Sequence, residues 1–237
     1  MAEFTIIKNN KLITGQEWND KIGLLENQYE ERYFISDREH AKTLVRESLL
    51  NAVYVRAQDN FGILFSGGLD SSLIALVCKK YVKKPFNCYT IGLEESSDIE
   101  YAKEVASILD IKLKLKILSL NEVESCLRNC IKLLNTRDVV KLEIAAVIYS
   151  AIEFASKDNC QNLFTGAGSE EIFAGYERHI DFFKQSPTRL HSESWAGLKS
   201  CYSRDITRDY QIAKKFSVNL LMPFFDFTLI KNVMNIN

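Results

Sequence analysis

From residue 61 to residue 176, short apolar runs alternate with stretches in which apolar residues recur at helical spacing. Gly62-Ile63-Leu64-Phe65, Phe86–Ile91 and Leu163-Phe164-Thr165 are apolar runs of strand length. Pro85 and Gly92 bound the second, and the third is a short buried run before a glycine turn. Between and after them, Leu73–Tyr81, Ser97–Leu109, Asn121–Leu134 and Asp138–Ser156 read as helices. Ser97-Asp98-Ile99-Glu100 has the form of a capping box at a helix start. Lys112–Leu118 alternates lysine with aliphatic residues, which predicts a strand with one wet face near a sheet edge. Strands alternating with helices predict an α/β fold, a doubly wound parallel sheet with flanking helices.

Outside that region the pattern is looser. Residues 4–13 alternate around Asn9-Asn10 as a small hairpin would, and residues 14–36 show no clear period. Ala41, Leu44, Val45, Leu49, Val53 and Val55 fit a helix over Asp37–Ala57, capped by Ser36 or Asp37. After Tyr176 the pattern is helical with polar interruptions as far as Phe216, and Pro223 starts a new turn. The expected organisation is an appendage of hairpin and helix over 1–58, followed by one domain over 59–237.

Composition narrows the function classes. The 237 residues are 46% hydrophobic and 26% charged, the balance of an ordinary soluble globular chain. The 30 basic and 31 acidic side chains nearly cancel, so no net field calls for nucleic acid. The longest apolar candidate for a membrane span, Ile144–Ala155, is interrupted by Ser150 and Glu153 and follows directly on Glu143. Met1-Ala2-Glu3-Phe4 has neither a basic nor an apolar leader, so a cytoplasmic location is expected. Six cysteines are scattered, most inside apolar stretches, which reads as buried reduced thiols. Cys126 and Cys130 lie four apart on one helix, but no histidine accompanies them. His40, His179 and His191 have no ligand spacing either, and no motif sets an oligomeric state.

The chemistry concentrates at Ser66-Gly67-Gly68-Leu69-Asp70-Ser71-Ser72, which leaves a predicted strand and opens a predicted helix. Glycines let the backbone approach an anion, serines add hydroxyl donors, and the helix start adds a positive dipole end. No Gly-Lys-Ser/Thr follows, so this is not a Walker-type loop. Asp70 repels phosphate on its own, so a carboxylate there calls for a bridging Mg²⁺. Thr165-Gly166-Ala167-Gly168-Ser169-Glu170-Glu171 also leaves a strand and enters a helix, and Glu170 is the candidate second metal ligand. In a parallel sheet both loops sit at carboxyl ends of strands, where ligands bind.

Together these stretches resemble the synthetase domain of asparagine synthetases, members of the N-type ATP pyrophosphatases with an adenine-nucleotide-hydrolase-like fold. The likeness runs through Tyr89-Thr90-Ile91-Gly92-Leu93, Ser97-Asp98 with Ala102–Ala106, Thr165–Tyr176, Arg208-Asp209 and Pro223-Phe224-Phe225-Asp226. The resemblance implies that Ser66, Gly67, Gly68, Asp70, Ser71 and Ser72 bind pyrophosphate, and that Asp70 also binds Mg²⁺. It implies that Leu64, Ile91 and Gly92 line an adenosine pocket closed by Thr165 and Gly166. Glu170 stands where the family usually has a metal-binding aspartate.

Several positions depart from the family. Ala167 replaces a glutamate, Lys141 and Glu143 stand where threonine and arginine are usual, and Asn219 and Leu221 replace glutamate and arginine. The sequence stops at Asn237, before a family lysine, and Ala2 stands where a glutaminase domain would carry cysteine. The resemblance therefore implies a stand-alone, AMP-forming amide ligase. It would activate a carboxylate, left unspecified, as an acyl-adenylate for attack by ammonia or an amine. A partner would supply glutaminase activity or the missing lysine. The alternative is an ATP-binding regulatory or scaffold subunit with weakened catalysis.

Overall fold

The computed structural model describes residues 6–8, 11–30 and 34–236. Among them the strands are β1 (Ile7–Lys8), β2 (Lys11–Leu12), β3 (Phe61–Leu64), β4 (Phe86–Gly92), β5 (Leu113–Ile117), β6 (Asn162–Phe164) and β7 (Asn219–Leu221). The helices begin with α1 (Gly15–Glu30), α2 (Arg38–Tyr54), α3 (Leu69–Val77), α4 (Ser97–Leu109), α5 (Leu120–Leu134) and α6 (Val139–Lys157). They continue with α7 (Ser169–Ile172), α8 (Glu177–Gln185), α9 (Pro187–Cys201), α10 (Thr207–Lys215) and α11 (Phe227–Met234). No helix among the described residues is long and apolar enough to cross a membrane.

The chain divides into two compact units, one of Met1–Ala52, Ala167–Ile206 and Met222–Asn237, the other of Val53–Gly166 and Thr207–Leu221. Residues 1–52 thus share a unit with two later segments, a partition that differs from a division at 58/59.

The second unit holds a five-stranded sheet in the order β5-β4-β3-β6-β7, with every neighbouring pair parallel. Ile63 sits opposite Cys88 on one side and Phe164 on the other, and both Ile63 and Phe164 are fully buried. Helices cover both faces. Tyr89 meets Phe154 of α6 edge-on, whereas a side chain at Gly92 would run into Ile99 of α4. Positions an odd number apart on a strand point to opposite faces, so α6 and α4 lie on opposite sides of β4. This is the doubly wound parallel arrangement that the sequence pattern predicts.

The lysine-alternating strand is the sheet edge, as its pattern predicts, but its lysines are engaged. Lys114 pairs with Asp158, and Lys116 with Glu122 at 2.9 Å. The capping box expected at Ser97–Glu100 does not form. Ser96 is the cap and makes no side-chain bond, while Glu100 pairs with Lys103. A full box forms instead one helix later, where Ser119 and Glu122 satisfy each other's backbone N–H. The helix after the loop starts at Leu69, four residues before the expected Leu73, and closes in a π-turn over Cys78–Val82.

In the first unit, β1 and β2 pair as the expected hairpin, with Ile7 opposite Leu12; the Asn9-Asn10 turn lies outside the described residues. Residues 15–30 form a helix that the period did not reveal. Trp18 and Ile22, one turn apart, are its fully buried residues. The Trp18 indole N–H donates to Leu198 O at 2.8 Å, and its ring meets Phe225 and Phe227 edge-on. The local signal was Thr14 and Glu17: the Thr14 N–H donates to Glu17 Oε2 at 2.9 Å and the Glu17 N–H donates to Thr14 Oγ1 at 3.1 Å. Asp37, one of the two expected caps, accepts from the His40 N–H at 2.6 Å. All six cysteines are free and buried.

Candidate functional site

Strand β3 is pinned to β4 where it ends: the Phe65 N–H donates to Tyr89 O at 2.9 Å and the Thr90 hydroxyl donates to Phe65 O at 2.5 Å. The chain then turns through Gly67, which has φ +78. A Cβ there would stand 2.9 Å from the Cα of Ala102, so the turn packs directly on α4. Only glycine meets both demands without strain.

Gly68 is the N-cap of α3 and has no side chain to cap with. The first helical bond runs from the Ser72 N–H to Gly68 O at 3.0 Å. The amides of Leu69, Asp70 and Ser71 therefore have no intrahelical acceptor. The serines do more local work than the sequence suggests. The Ser72 hydroxyl donates to Gly67 O at 3.0 Å, the Ser71 hydroxyl donates to Gly68 O at 3.2 Å, and Ser66 Oγ accepts from the Gly68 N–H at 3.2 Å. These bonds consume the hydroxyl protons of Ser71 and Ser72, so they set the loop's shape, and its outward donors are the amides. The result is an anion cradle at the positive end of a helix.

The sheet brings a second segment to this place. The order in which strands are added switches sides between β3 and β6, which run parallel: β4 and β5 extend the sheet on one side, and β6 and β7 on the other. Ligands collect at such a switch point, beyond the carboxyl ends of the strands. Thr165 leaves β6 with its N–H donating to Leu221 O at 3.1 Å, and Gly166 follows directly against Asp70. A Cβ on Gly166 would lie 3.1 Å from the Asp70 Cβ. Asp70 is half-buried, with its backbone in the first turn of α3. Leu64, Ile91 and Gly92 are also half-buried, and Ile91 and Gly92 point to opposite faces of β4.

The rest of the second segment belongs to the other unit. Gly168, at φ +96, sits with the Phe225 ring where a side chain would stand, 2.6 Å from an added Cβ. Glu170 is exposed on the short helix α7, and its carbonyl accepts from the Gly175 N–H at 2.9 Å. Its neighbour Glu171 is the buried one, a residue the sequence reading left without a role. Glu171 pairs with Arg204, and the Tyr176 hydroxyl donates to Glu171 Oε1 at 2.6 Å. Arg204 also donates to Asp205 at 2.7 Å, and the Arg178 guanidinium lies 4.0 Å from the Tyr176 ring centroid. Burial, and then the bond to Glu171, push the Tyr176 phenol well above its ordinary value. This cluster fixes the segment that carries Glu170.

Three or more metal-ligating side chains do not gather anywhere among the described residues. The Cys126 thiol donates to Ala146 O at 3.3 Å and accepts from the Ser150 hydroxyl at 3.2 Å. Lys141 and Glu143 are both exposed, while Arg208 and Asp209 form a buried pair at 2.7 Å.

A family model described as asparagine synthase matches residues 44–189. Asparagine synthetase [glutamine-hydrolyzing] of Gallus gallus is 32% identical over 199 residues, covering 80% of this chain and 35% of that protein. Asparagine synthetase B [glutamine-hydrolyzing] of Escherichia coli K12 is 26% identical over 220 residues, covering 86% of this chain and 39% of that protein. The chain thus spans about 35–39% of the length of these curated relatives. Among solved structures, the NH3-dependent NAD synthetase of Campylobacter jejuni matches with a TM-score of 0.41 at 19% identity, covering 57% of this chain and 60% of that one.

Proposed function

Because this chain belongs to the asparagine synthase family, we infer that it is an ATP-dependent ligase that releases pyrophosphate. The observation that carries this reading is the pair of segments at the switch point. A glycine-capped helix start with three open amides stands there beside Gly166.

In this reading the amides of Leu69, Asp70 and Ser71, with the Ser66 hydroxyl, hold the β and γ phosphates of ATP as one leaving unit. Gly67, Gly68 and Ser72 keep the loop in shape. Leu64, Ile91 and Gly92 line the adenosine pocket, and Thr165 with Gly166 closes it. Asp70 and Glu170 are the residues that would hold Mg²⁺, which supplies charge neutralisation for the triphosphate when bound. An acceptor carboxylate attacks the α-phosphorus and expels pyrophosphate. Ammonia or an amine then displaces AMP from the acyl-adenylate. Donors already aimed at the departing pyrophosphate stabilise its developing charge without reorganising.

Exchange of labelled pyrophosphate into ATP, run against a panel of carboxylates, tests the proposal. Exchange with one carboxylate, together with AMP as the nucleotide product, is the expected result. ADP and orthophosphate as primary products would refute it. Tight Mg·ATP binding without turnover would instead favour a nucleotide-binding subunit, the reading to which the departure at Ala167 points.

A further inference from the structure

A cavity of about 430 Å³ opens at the other end of the same sheet, where the chain enters β4 and β5. Lys79, Lys83, Lys84 and Lys112 line it, against the single carboxylate of Asp110. The chain as a whole carries 30 basic and 31 acidic side chains, so this is a local concentration of positive charge. A concave surface with an excess of one sign of charge draws in counter-ions.

Two of the four lysines are committed to the fold. The Lys79 ammonium donates to Leu109 O and Asp110 O and pairs with Asp110 at 2.7 Å, closing the carboxyl end of α4. Lys84 pairs with Asp59 at 2.9 Å and donates to Ala57 O at 3.2 Å. Among the described residues neither Lys83 nor Lys112 makes an ion pair within 4.0 Å, although the Lys112 charge reaches Asp158, and both are exposed at the cavity. Pro85, Phe86 and Ile111 complete the lining with an apolar surface. The depression is wide open to solvent, so a ligand there keeps one side wet while its charge meets the lysines and its organic part meets the apolar residues.

We propose that this cavity is a second ligand site, and that it takes a phosphorylated small molecule. Lys83 and Lys112 hold the phosphate, while Pro85, Phe86 and Ile111 receive the organic part. The site is separate from the loop at Ser66–Ser72. Phe86 pairs with Phe61, and the loop begins five residues further along β3, on the order of 15 Å away.

Uridine 5′-monophosphate, inorganic phosphate and uridine, titrated into the full chain, are the probes. Calorimetry and amide chemical-shift mapping are the readouts. Uridine monophosphate is expected to bind saturably and shift the amides of Ile111 and Lys112. Uridine alone is expected to bind at least about tenfold more weakly, the scale of a lost charge-assisted contact. The double variant Lys83→Glu with Lys112→Glu is expected to lose at least about tenfold in affinity, and its glutamine counterpart somewhat less. The amides of Ser66–Ser72 are expected not to shift. Saturable binding of neither phosphate compound would overturn the proposal, as would undiminished binding in the lysine variants or shifts confined to the amides of Ser66–Ser72. Binding only of a long polyanion, such as an oligonucleotide or polyglutamate, would also overturn it and make the surface macromolecular.

Discussion

Gly166 lies against Asp70, with the ideal Cβ position of the glycine 3.1 Å from the aspartate Cβ and 3.8 Å from the Ser71 amide nitrogen. An added methyl presses on the first turn of α3, which carries the Asp70 Cβ and must give by a few tenths of an ångström. Gly166→Ala is therefore expected to fold with less than about 1 kcal/mol lost, since the contact is tight rather than prohibitive. Its Mg·ATP affinity is expected to fall about tenfold as the aspartate shifts. Thermal melting and calorimetry on the same sample separate the two effects. Unchanged affinity would show that this contact has no bearing on nucleotide binding.

Gly67 is a harder constraint. Alanine there needs φ +78 and brings its methyl within 2.9 Å of the Ala102 backbone. The left-handed conformation alone costs about 1–2 kcal/mol, and the clash adds to it. Gly67→Ala is expected to lose about 3 kcal/mol or more in urea unfolding. Gly68→Ala, at φ −61 and facing only the Ser66 hydroxyl at 3.2 Å, should lose far less. Equal losses in the two variants would contradict the packing of this turn on α4.

The sheet was legible wherever apolar runs were long enough to carry a period. Phe61–Leu64 and Phe86–Gly92 are of that kind, and the lysine alternation of Leu113–Ile117 marked the edge. Asn162–Phe164 is as short as Asn219–Leu221, but a glycine turn follows it; Asn219–Leu221 has no such mark, and Leu220 and Leu221 declare themselves only by burial. The helix Gly15–Glu30 was missed because two fully buried residues, Trp18 and Ile22, make too narrow a stripe. At the site, composition pointed to the loop but misjudged its serines, because a hydroxyl's partner is set by local geometry. The sequence reading singled out Glu170 and gave Glu171 no role, whereas the fold leaves Glu170 exposed and buries Glu171.

Glu171 is 3% exposed, and its carboxylate is bonded by Arg204 and Tyr176. Arg204→Ala leaves that carboxylate with the tyrosine alone. Breaking a fully buried pair costs about 3–5 kcal/mol, and because Arg204 is 37% exposed the expected loss here is about 2–3 kcal/mol. Glu171→Gln keeps the shape and removes the charge, so it is expected to cost less. Adding Arg204→Ala to Glu171→Gln should then cost less than Arg204→Ala does alone. A double-mutant cycle in urea measures the coupling, and strict additivity would deny the pair its role.

Asp70 and Glu170 make a claim about metal dependence that binding alone can test. Each is a hard oxygen ligand of the kind Mg²⁺ takes. In the native chain, ATP affinity is expected to rise when Mg²⁺ is added, and Asp70→Asn and Glu170→Gln should each blunt that rise while leaving metal-free ATP binding almost unchanged. Calorimetric titration with and without Mg²⁺ reads both quantities. A full Mg²⁺ response in both variants would remove the metal role from these residues.

Asp158 supplies the acid-sensitive contact of the sheet edge. It pairs with Lys114 and accepts from the Tyr89 hydroxyl at 2.6 Å, and those two bonds hold its carboxyl below the ordinary value of 3.8. Burial, and the bond to Asp158, hold the Tyr89 phenol well above its usual range, so it remains the donor throughout. A group whose folded value is depressed stabilises the fold above its unfolded value and loses that contribution as pH falls through the folded one. The stabilisation from Asp158 is therefore complete near neutrality and disappears below 3.8. Asp158→Asn is expected to cost about 1 kcal/mol near neutrality, a modest figure because both partners of the ion pair are roughly a third exposed. Well below 3.8 the wild-type carboxyl is itself neutral, so the two proteins should converge in stability. Urea unfolding of both at the two acidities measures the difference, and a gap that persists or widens in acid would mean that packing rather than charge makes the contact.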